Sequence, residues 1–205
     1  MSFFLEGLIL GFGLAFSLGP IFIALTETSI QKGVRAGMTV GAGIWISDIL
    51  FISVFYFFIN SLKSTIEAPS FIFWMGISGA LVLAIFGIYL IVKTPTINYK
   101  TQKLSAKNYI AFSIKGFTVN SANPFTFIYW MSVISTYIIG RNVGAVDAFI
   151  LLSTILVVII LSDSIKVFLA DRLKSKLTPR IANYVFNLSG VVLLGFGLYM
   201  LLQVI

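Results

Sequence analysis

Apolar residues run along the chain in six long blocks, separated by short polar segments that carry most of the charge. The blocks cover roughly 3–26, 37–59, 71–92, 109–139, 146–168 and 182–204. Each offers at least the roughly 20 residues that a helix needs to cross the hydrocarbon core of a bilayer. The fourth block is long because Pro124 interrupts it. The pattern predicts an all-α integral membrane protein, with six transmembrane helices in a single domain over 1–205. Segment 93–108 holds Pro95, Lys100, Gln102 and Lys103 and has no sustained apolar period, so it predicts a polar linker.

The blocks form two sets of three with matching punctuation. Ser17-Leu18-Gly19-Pro20 in the first block corresponds to Ser121-Ala122-Asn123-Pro124 in the fourth. Ser47-Asp48 corresponds to Ser162-Asp163, and Ser78-Gly79 to Ser189-Gly190. Phe86-Gly87-Ile88-Tyr89 and Phe196-Gly197-Leu198-Tyr199 close the two sets. Order is kept, and the spacing drifts only by loop-sized amounts. Three spans per repeat is an odd number, so the second repeat must enter the membrane from the opposite face. The expectation is two inverted three-helix repeats, 1–92 and 105–205, with helices 1 and 4 broken at proline. Matched helix breaks in two halves are a strong sequence pointer to a transporter's binding site.

Composition agrees with a lipid solvent. Hydrophobic residues make up 59% of the chain and charged residues 10%, against roughly 45–50% and 25% in soluble domains. Mean hydropathy is +1.03. The first block has no basic residue before it and no small-residue cleavage site after it, so it reads as a retained span rather than a signal peptide. The chain has no cysteine and no histidine. That excludes disulfides and thiolate or imidazole ligation. No metal and no cofactor are expected.

A net charge of +7 invites a nucleic-acid reading, but its distribution argues for membrane orientation. Lys32 and Arg35 lie between blocks one and two; Lys93, Lys100, Lys103 and Lys107 between three and four; Arg172, Lys174, Lys176 and Arg180 between five and six. The opposite loops hold only Lys63 and Arg141. The positive-inside rule makes the basic loops, and the 93–108 linker with them, cytoplasmic and places both termini outside. The basic loops then meet anionic lipid headgroups, and no nucleic-acid partner is expected.

The prolines carry the chemistry. A proline inside a helix removes a backbone donor and clashes with the preceding turn, yet it suits the first position of a new helix with Gly or Asn as cap. Gly19-Pro20 and Asn123-Pro124 both fit that pattern. Each broken span would then aim a half-helix N-terminus, with free amide donors, into the membrane interior. A substrate carboxylate can satisfy such donors. The plain alternative is a proline kink satisfied by Ser17, Asn120, Ser121 or water. Asp48 lies mid-span with nothing basic in helical reach, and an ionisable residue at that depth is functional by default. It could hold a substrate ammonium or exchange a proton, since desolvation disfavours the charged form. Asp163 has Lys166 three residues on, so an interfacial ion pair is the competing reading. Glu6 and Glu27 sit near block ends and are expected to be solvated. Gly7/Gly11, Gly33/Gly37/Gly41 and Gly76/Gly79 recur at helical spacing and predict close helix packing. Trp45 and Trp130 are candidates to line a cavity. The candidate substrate-binding residues are Ser17, Gly19, Pro20, Asp48, Asn120, Ser121, Asn123 and Pro124. The candidate proton-coupling residues are Asp48 and Asp163.

These residues carry a resemblance. Gly7-Leu8, Gly11 and Gly19-Pro20, then Gly33 and Gly37, Asp48, Asn123-Pro124, Ser189-Gly190 and Phe196-Gly197 resemble the LysE/RhtB family of amino-acid exporters over essentially the whole chain. The resemblance implies a small six-span exporter of the bacterial inner membrane, driven by the proton-motive force and forming a homodimer. Its Gly-Pro maps onto Gly19-Pro20, its acidic position onto Asp48 and its Asn-Pro onto Asn123-Pro124. Phe125 stands where many members have a basic or small residue, and Ile21 where asparagine is frequent in lysine exporters. Both leave the substrate open.

Other classes fit less well. A channel wants rows of pore-lining polar residues or a charged ring, and only isolated polar residues occur. An enzyme wants a nucleophile, base or metal cluster, and the commonest general base is missing. Two aspartates can bind a hard cation, so an exporter of a divalent or other small cation is the alternative to an exporter of amino acids or related small zwitterions.

Overall fold

The structure, a computed structural model, describes residues 2–15, 19–66, 68–92, 105–173 and 179–204. All elements among them are helical. In chain order they are α1 (Phe3–Ala15), α2 (Pro20–Lys32), α3 (Val34–Ile66), α4 (Pro69–Val92), α5 (Ala106–Ser121), α6 (Pro124–Ser132), a π-helical stretch Val133–Ile139, α7 (Ala145–Leu173) and α8 (Pro179–Val204). Four of the five prolines open a helix: Pro20, Pro69, Pro124 and Pro179. That is the position where the missing donor costs nothing. Gly33 ends α2 in one residue: its φ is 89° and its N–H donates to the Ser29 carbonyl at 2.8 Å. The packing role expected for Gly33 is therefore corrected; it makes the turn that lets α3 return along α2. Ser105 caps α5. Its N–H and hydroxyl both donate to the Asn108 side-chain oxygen, at 2.9 and 2.8 Å.

Three helical segments, Val34–Phe58, Phe73–Val92 and Ala145–Leu173, are long and apolar enough to cross a membrane. α1 and α2 meet the same test together, bent by 69°. The α6–π stretch and residues 187–203 of α8 are shorter apolar helices. α3 and α7 run beyond the expected 37–59 and 146–168, because the backbone ladder continues into polar flanks after hydropathy falls. α5 begins at Ala106, so the last residues of the expected linker are helical; 93–104 lie outside the described residues.

Packing is organised in helix pairs: α4 on α8, α3 on α5 and α1 on α7, with α2 wedged against α3 and α7. Small residues make these pairs possible. A Cβ on Gly43 would overlap the Ser113 carbonyl oxygen of α5, and one on Gly116 the Val40 carbonyl oxygen of α3. Gly87 and Gly190 do the same for α4 and α8, each facing the other's carbonyl. A Cβ on Gly7 would come within 2.7 Å of Thr154, and one on Gly11 within 2.8 Å of Val158. Gly41 differs from its expected role, since its neighbour is the Trp45 ring of its own helix. Outward positions are apolar, including Phe57, Val146 and Phe149, which are about three-quarters exposed. Such a surface suits lipid rather than water.

The α3–α5 contact generates a prediction. Gly116→Ala should destabilise the protein by about 1–3 kcal/mol, because backbone is the obstructing group and cannot yield as a side chain would. Gly195→Ala, on α8 with open space around its Cβ position, should be neutral or slightly stabilising. Thermal unfolding in detergent compares the two.

Candidate functional site

All eight helices contribute to one cavity of about 250 Å³. Both helix breaks open onto it. Gly19, Pro20 and Ile21 border it from the first; Asn123, Phe125 and Thr126 from the second. Asp48, Asn120, Asp163 and Lys166 complete its polar lining, and Leu83, Ile159, Val192, Leu193 and Phe196 most of its apolar wall.

The two breaks are capped differently. Asn123 is buried and its side-chain oxygen accepts from the Phe125 N–H at 3.1 Å. That satisfies one of the amides the break would otherwise expose. Gly19 has no side chain to do this for α2. Pro20 has no N–H, and Ile23 N–H already donates to the Gly19 carbonyl at 3.2 Å. The Ile21 and Phe22 amides therefore stand at the α2 N-terminus without a partner among the described residues, and Ile21 borders the cavity.

Asp48 is 2% exposed. Its Oδ1 accepts from the Trp130 indole N–H at 2.9 Å and from Asn120 Nδ2 at 2.9 Å. No basic group pairs with it among the described residues. Asn120 is fully buried and fully used: Nδ2 also donates to the Ile44 carbonyl at 3.1 Å, and Oδ1 accepts from Thr126 Oγ1 at 3.0 Å. One amide thus ties α3, α5 and α6 together behind the carboxylate. Asp163 has a different environment. Oδ1 accepts from Lys166 Nζ at 2.9 Å and Oδ2 from the Trp45 indole at 3.2 Å. The pair is buried, with side-chain exposures of 3% for Asp163 and 17% for Lys166. The interfacial ion pair weighed from the sequence is instead part of the cavity wall. The cavity therefore holds one neutralised acid and one acid held only by neutral donors.

A family model described as "LysE type translocator" matches residues 12–204. The chain belongs to the LysE type translocator family. It is similar over 202 residues, at 24% identity, to the "Putative amino acid efflux protein YcgF" of Bacillus subtilis (strain 168), covering 97% of this chain and 95% of that protein. No solved structure matches it. A LysE type translocator is a membrane transporter and not an enzyme, so the cavity is read as a place for a passenger, not for a reaction.

Of the candidate residues in this LysE-family chain, Gly19, Pro20, Asp48, Asn120, Asn123 and Asp163 border the cavity. Ser121 does not: it is exposed, and its hydroxyl pairs with Ser47 at 2.9 Å on another side of α5. Pro124 opens α6 as expected, and Ser17 lies outside the described residues. Trp45 and Trp130 do not line the cavity; they stand behind the acids and donate to them. Thr126 and Lys166 were missed. The indoles left a signal, because a buried Trp N–H is a donor that must find an acceptor, and few acceptors exist in such apolar spans. Glu6 is a correction. It is buried rather than solvated, and Arg141 Nη1 donates to its Oε2 at 2.9 Å while lying 4.6 Å over the Tyr137 ring. Desolvation near the α1 N-terminus makes the partner necessary. Glu27 lies 3.9 Å from Lys115 and is partly buried.

Lys166→Met leaves Asp163 buried beside a single neutral donor. It should destabilise by about 3–5 kcal/mol, as expected when one member of a buried pair is removed. Asp163→Asn combined with Lys166→Met should recover most of that loss. A double-mutant cycle on unfolding in detergent tests it, and additive losses would rule out the pairing.

Proposed function

We propose that this translocator is a secondary transporter that exports amino acids or related small zwitterions across the bacterial cytoplasmic membrane in exchange for protons. The observation that carries the reading is the cavity itself. Among the described residues, it presents an acid without a basic partner, Asp48, and a helix N-terminus without a side-chain cap, that of α2, to the same space. An α-amino acid carries the complementary pair. Its ammonium suits Asp48, and its carboxylate suits the Ile21 and Phe22 amides. Amino acid efflux is also what the name of the Bacillus subtilis relative states.

Coupling follows if Asp48 has two mutually exclusive occupants. Facing the cytoplasm, the carboxylate releases a proton and accepts the ammonium. Facing outward, a proton arrives at Asp48 and the ammonium leaves. One site that holds either a proton or a substrate, and alternates between faces, is an antiporter. The cation-export reading is less well supported, because both Asp163 oxygens are engaged by Lys166 and Trp45. A divalent cation wants about six oxygen ligands, and Asp48 alone supplies at most two.

The proposed frame is six spans in two inverted repeats, 1–92 and 105–205, with both termini outside. The helix pairs support it. Exchanging the repeats turns α1 on α7 into α5 on α3 and turns α4 on α8 into itself, and these are the main pairs of the fold. The ten basic residues of the three loops between paired spans support the orientation.

Two experiments test this reading. Single cysteines, introduced into a chain that has none, should react with an impermeant reagent from outside at Ser2 and Gln203 but not at Gln102. Protection of both terminal positions in intact cells would remove the orientation. Asp48→Asn keeps the shape of the acid without its proton. It should fold, lose uphill transport driven by a pH gradient, and lose amino-acid counterflow as the ammonium site goes. Retained counterflow would assign Asp48 to the proton alone, and parental uphill transport would exclude both roles. Asp163→Asn should cause the smaller transport defect, since Lys166 already neutralises that acid.

A further inference from the structure

The amino-acid reading leaves the side chain of the passenger unspecified, and the rest of the cavity bears on it. Apart from Asp48, the α2 amides and the Asn123 amide nitrogen, the polar side chains that line it have partners among the described residues. Asp163 and Lys166 hold each other at 2.9 Å, and Trp45 takes the second Asp163 oxygen. Asn120 has both donor and acceptor engaged, Thr126 donates to it, and Asn123 caps α6. Beyond that one neutral donor on Asn123, the surface left for a side chain is apolar. Leu83 and Leu193 are buried and belong to one packed cluster with Ile23 and Leu90, so that wall is fixed in place. Phe125 and Phe196 add two rings with centroids 6.2 Å apart. The wall adjoins the proposed carboxylate position, because a Cβ on Gly19 would lie 3.6 Å from Leu193 Cδ2.

We infer that this cavity selects amino acids with an uncharged, apolar side chain, seated against Leu83, Leu193 and Phe196; the inference rests on the amino-acid export reading above. A lysine or glutamate side chain would bring a charge into a region whose own charges are mutually neutralised. It would lose its hydration with no unpaired counter-charge in exchange. Rejection by an unpaired charge is as much a source of specificity as the fit of the accepted group. Size points the same way. A cavity of about 250 Å³ lies below the roughly 300–1,000 Å³ of pockets for drug-sized ligands. It holds one amino acid and not a peptide.

The test is counterflow in proteoliposomes containing the full chain, with L-leucine, L-methionine, L-alanine, L-lysine and L-glutamate as probes. Leucine and methionine should exchange at least ~tenfold faster than lysine and glutamate. Phe196→Ala and Leu193→Ala should each reduce the leucine-to-alanine ratio by about tenfold, the scale for lost methylene contacts in a pocket. Phe196 is half exposed, so Phe196→Ala tests the wall even if Leu193→Ala does not fold. Lysine or glutamate exchanging as fast as leucine overturns this inference and leaves amino-acid export standing. An unchanged leucine-to-alanine ratio in Phe196→Ala overturns the assignment of the wall. Failure of all five probes to exchange overturns the export reading and this inference together.

Discussion

A carboxylate inside a membrane protein has no water to fall back on, and the arrangement of these helices follows from that constraint. Desolvating an ionised acid is expensive unless donors surround it. Here the donors come from elsewhere in the chain. Asp48 of α3 takes its hydrogen bonds from Trp130 of α6 and Asn120 of α5. Asp163 of α7 takes one of its two from Trp45 of α3. Each acid in one half of the chain is thus held by an indole from the other half. Removing either indole would loosen the contact between halves as well as the acid, so the polar network and the packing of the bundle are one construction. The break between α5 and α6 shares in it: Asn120, at the end of α5, reaches Asp48 and accepts from Thr126 in α6 across the break.

The break would be costly without those contacts. Interrupting a helix in lipid strands amides and carbonyls that only protein or a passenger can satisfy. At Asn123-Pro124 the protein does most of this itself, through the Asn123 side chain and the Asn120 network. At Gly19-Pro20 no side chain among the described residues does so. The sequence repeat made the two breaks look equivalent; the caps make them unequal. Among the described residues, one break is stiffened by its cap and the other is not. The repeat's acids diverge in the same way, Asp163 neutralised by Lys166 and Asp48 left with neutral partners. Ile21, at the start of α2, and Asp48 border the same cavity, and the proposed site rests on that coincidence.

What the sequence revealed and what it hid divide along contact range. The helix starts at Pro20 and Pro124 and the small-residue stripe of α1 are written locally, in propensity and spacing, and a one-dimensional reading reaches them. Asp48 was legible because an acid amid apolar residues is anomalous wherever its partners lie. Those partners were not legible. Trp130 is 82 residues from Asp48, Trp45 is 118 from Asp163, and Arg141 is 135 from Glu6. No local pattern encodes which indole meets which acid. Glu6 was misjudged for the same reason: position near the end of a block implied water, whereas a cation from the loop before α7 covers it. Lys166 was read correctly as the partner of Asp163 but not as part of the cavity, since helical spacing gives the pair and not the face it occupies.

The two kinds of ion pair in the chain show how burial decides what a charge is for. Lys115 and Glu27 are 3.9 Å apart and partly exposed. Such a pair contributes little, because water competes for both partners. Asp163 and Lys166 are close and shielded, so neither can leave without stranding the other. They fix the charge of one wall of the cavity at zero. The electrostatic character of the site is thereby left to Asp48, whose neutral partners hold it in place without cancelling it. A buried acid that is well hydrogen-bonded but uncompensated can exchange one positive occupant for another, a proton for an ammonium. The same acid beside a permanent cation could not. In the proposed transport cycle the neutralised pair and Asp48 are therefore complementary, one setting the background charge and the other supplying the charge that changes.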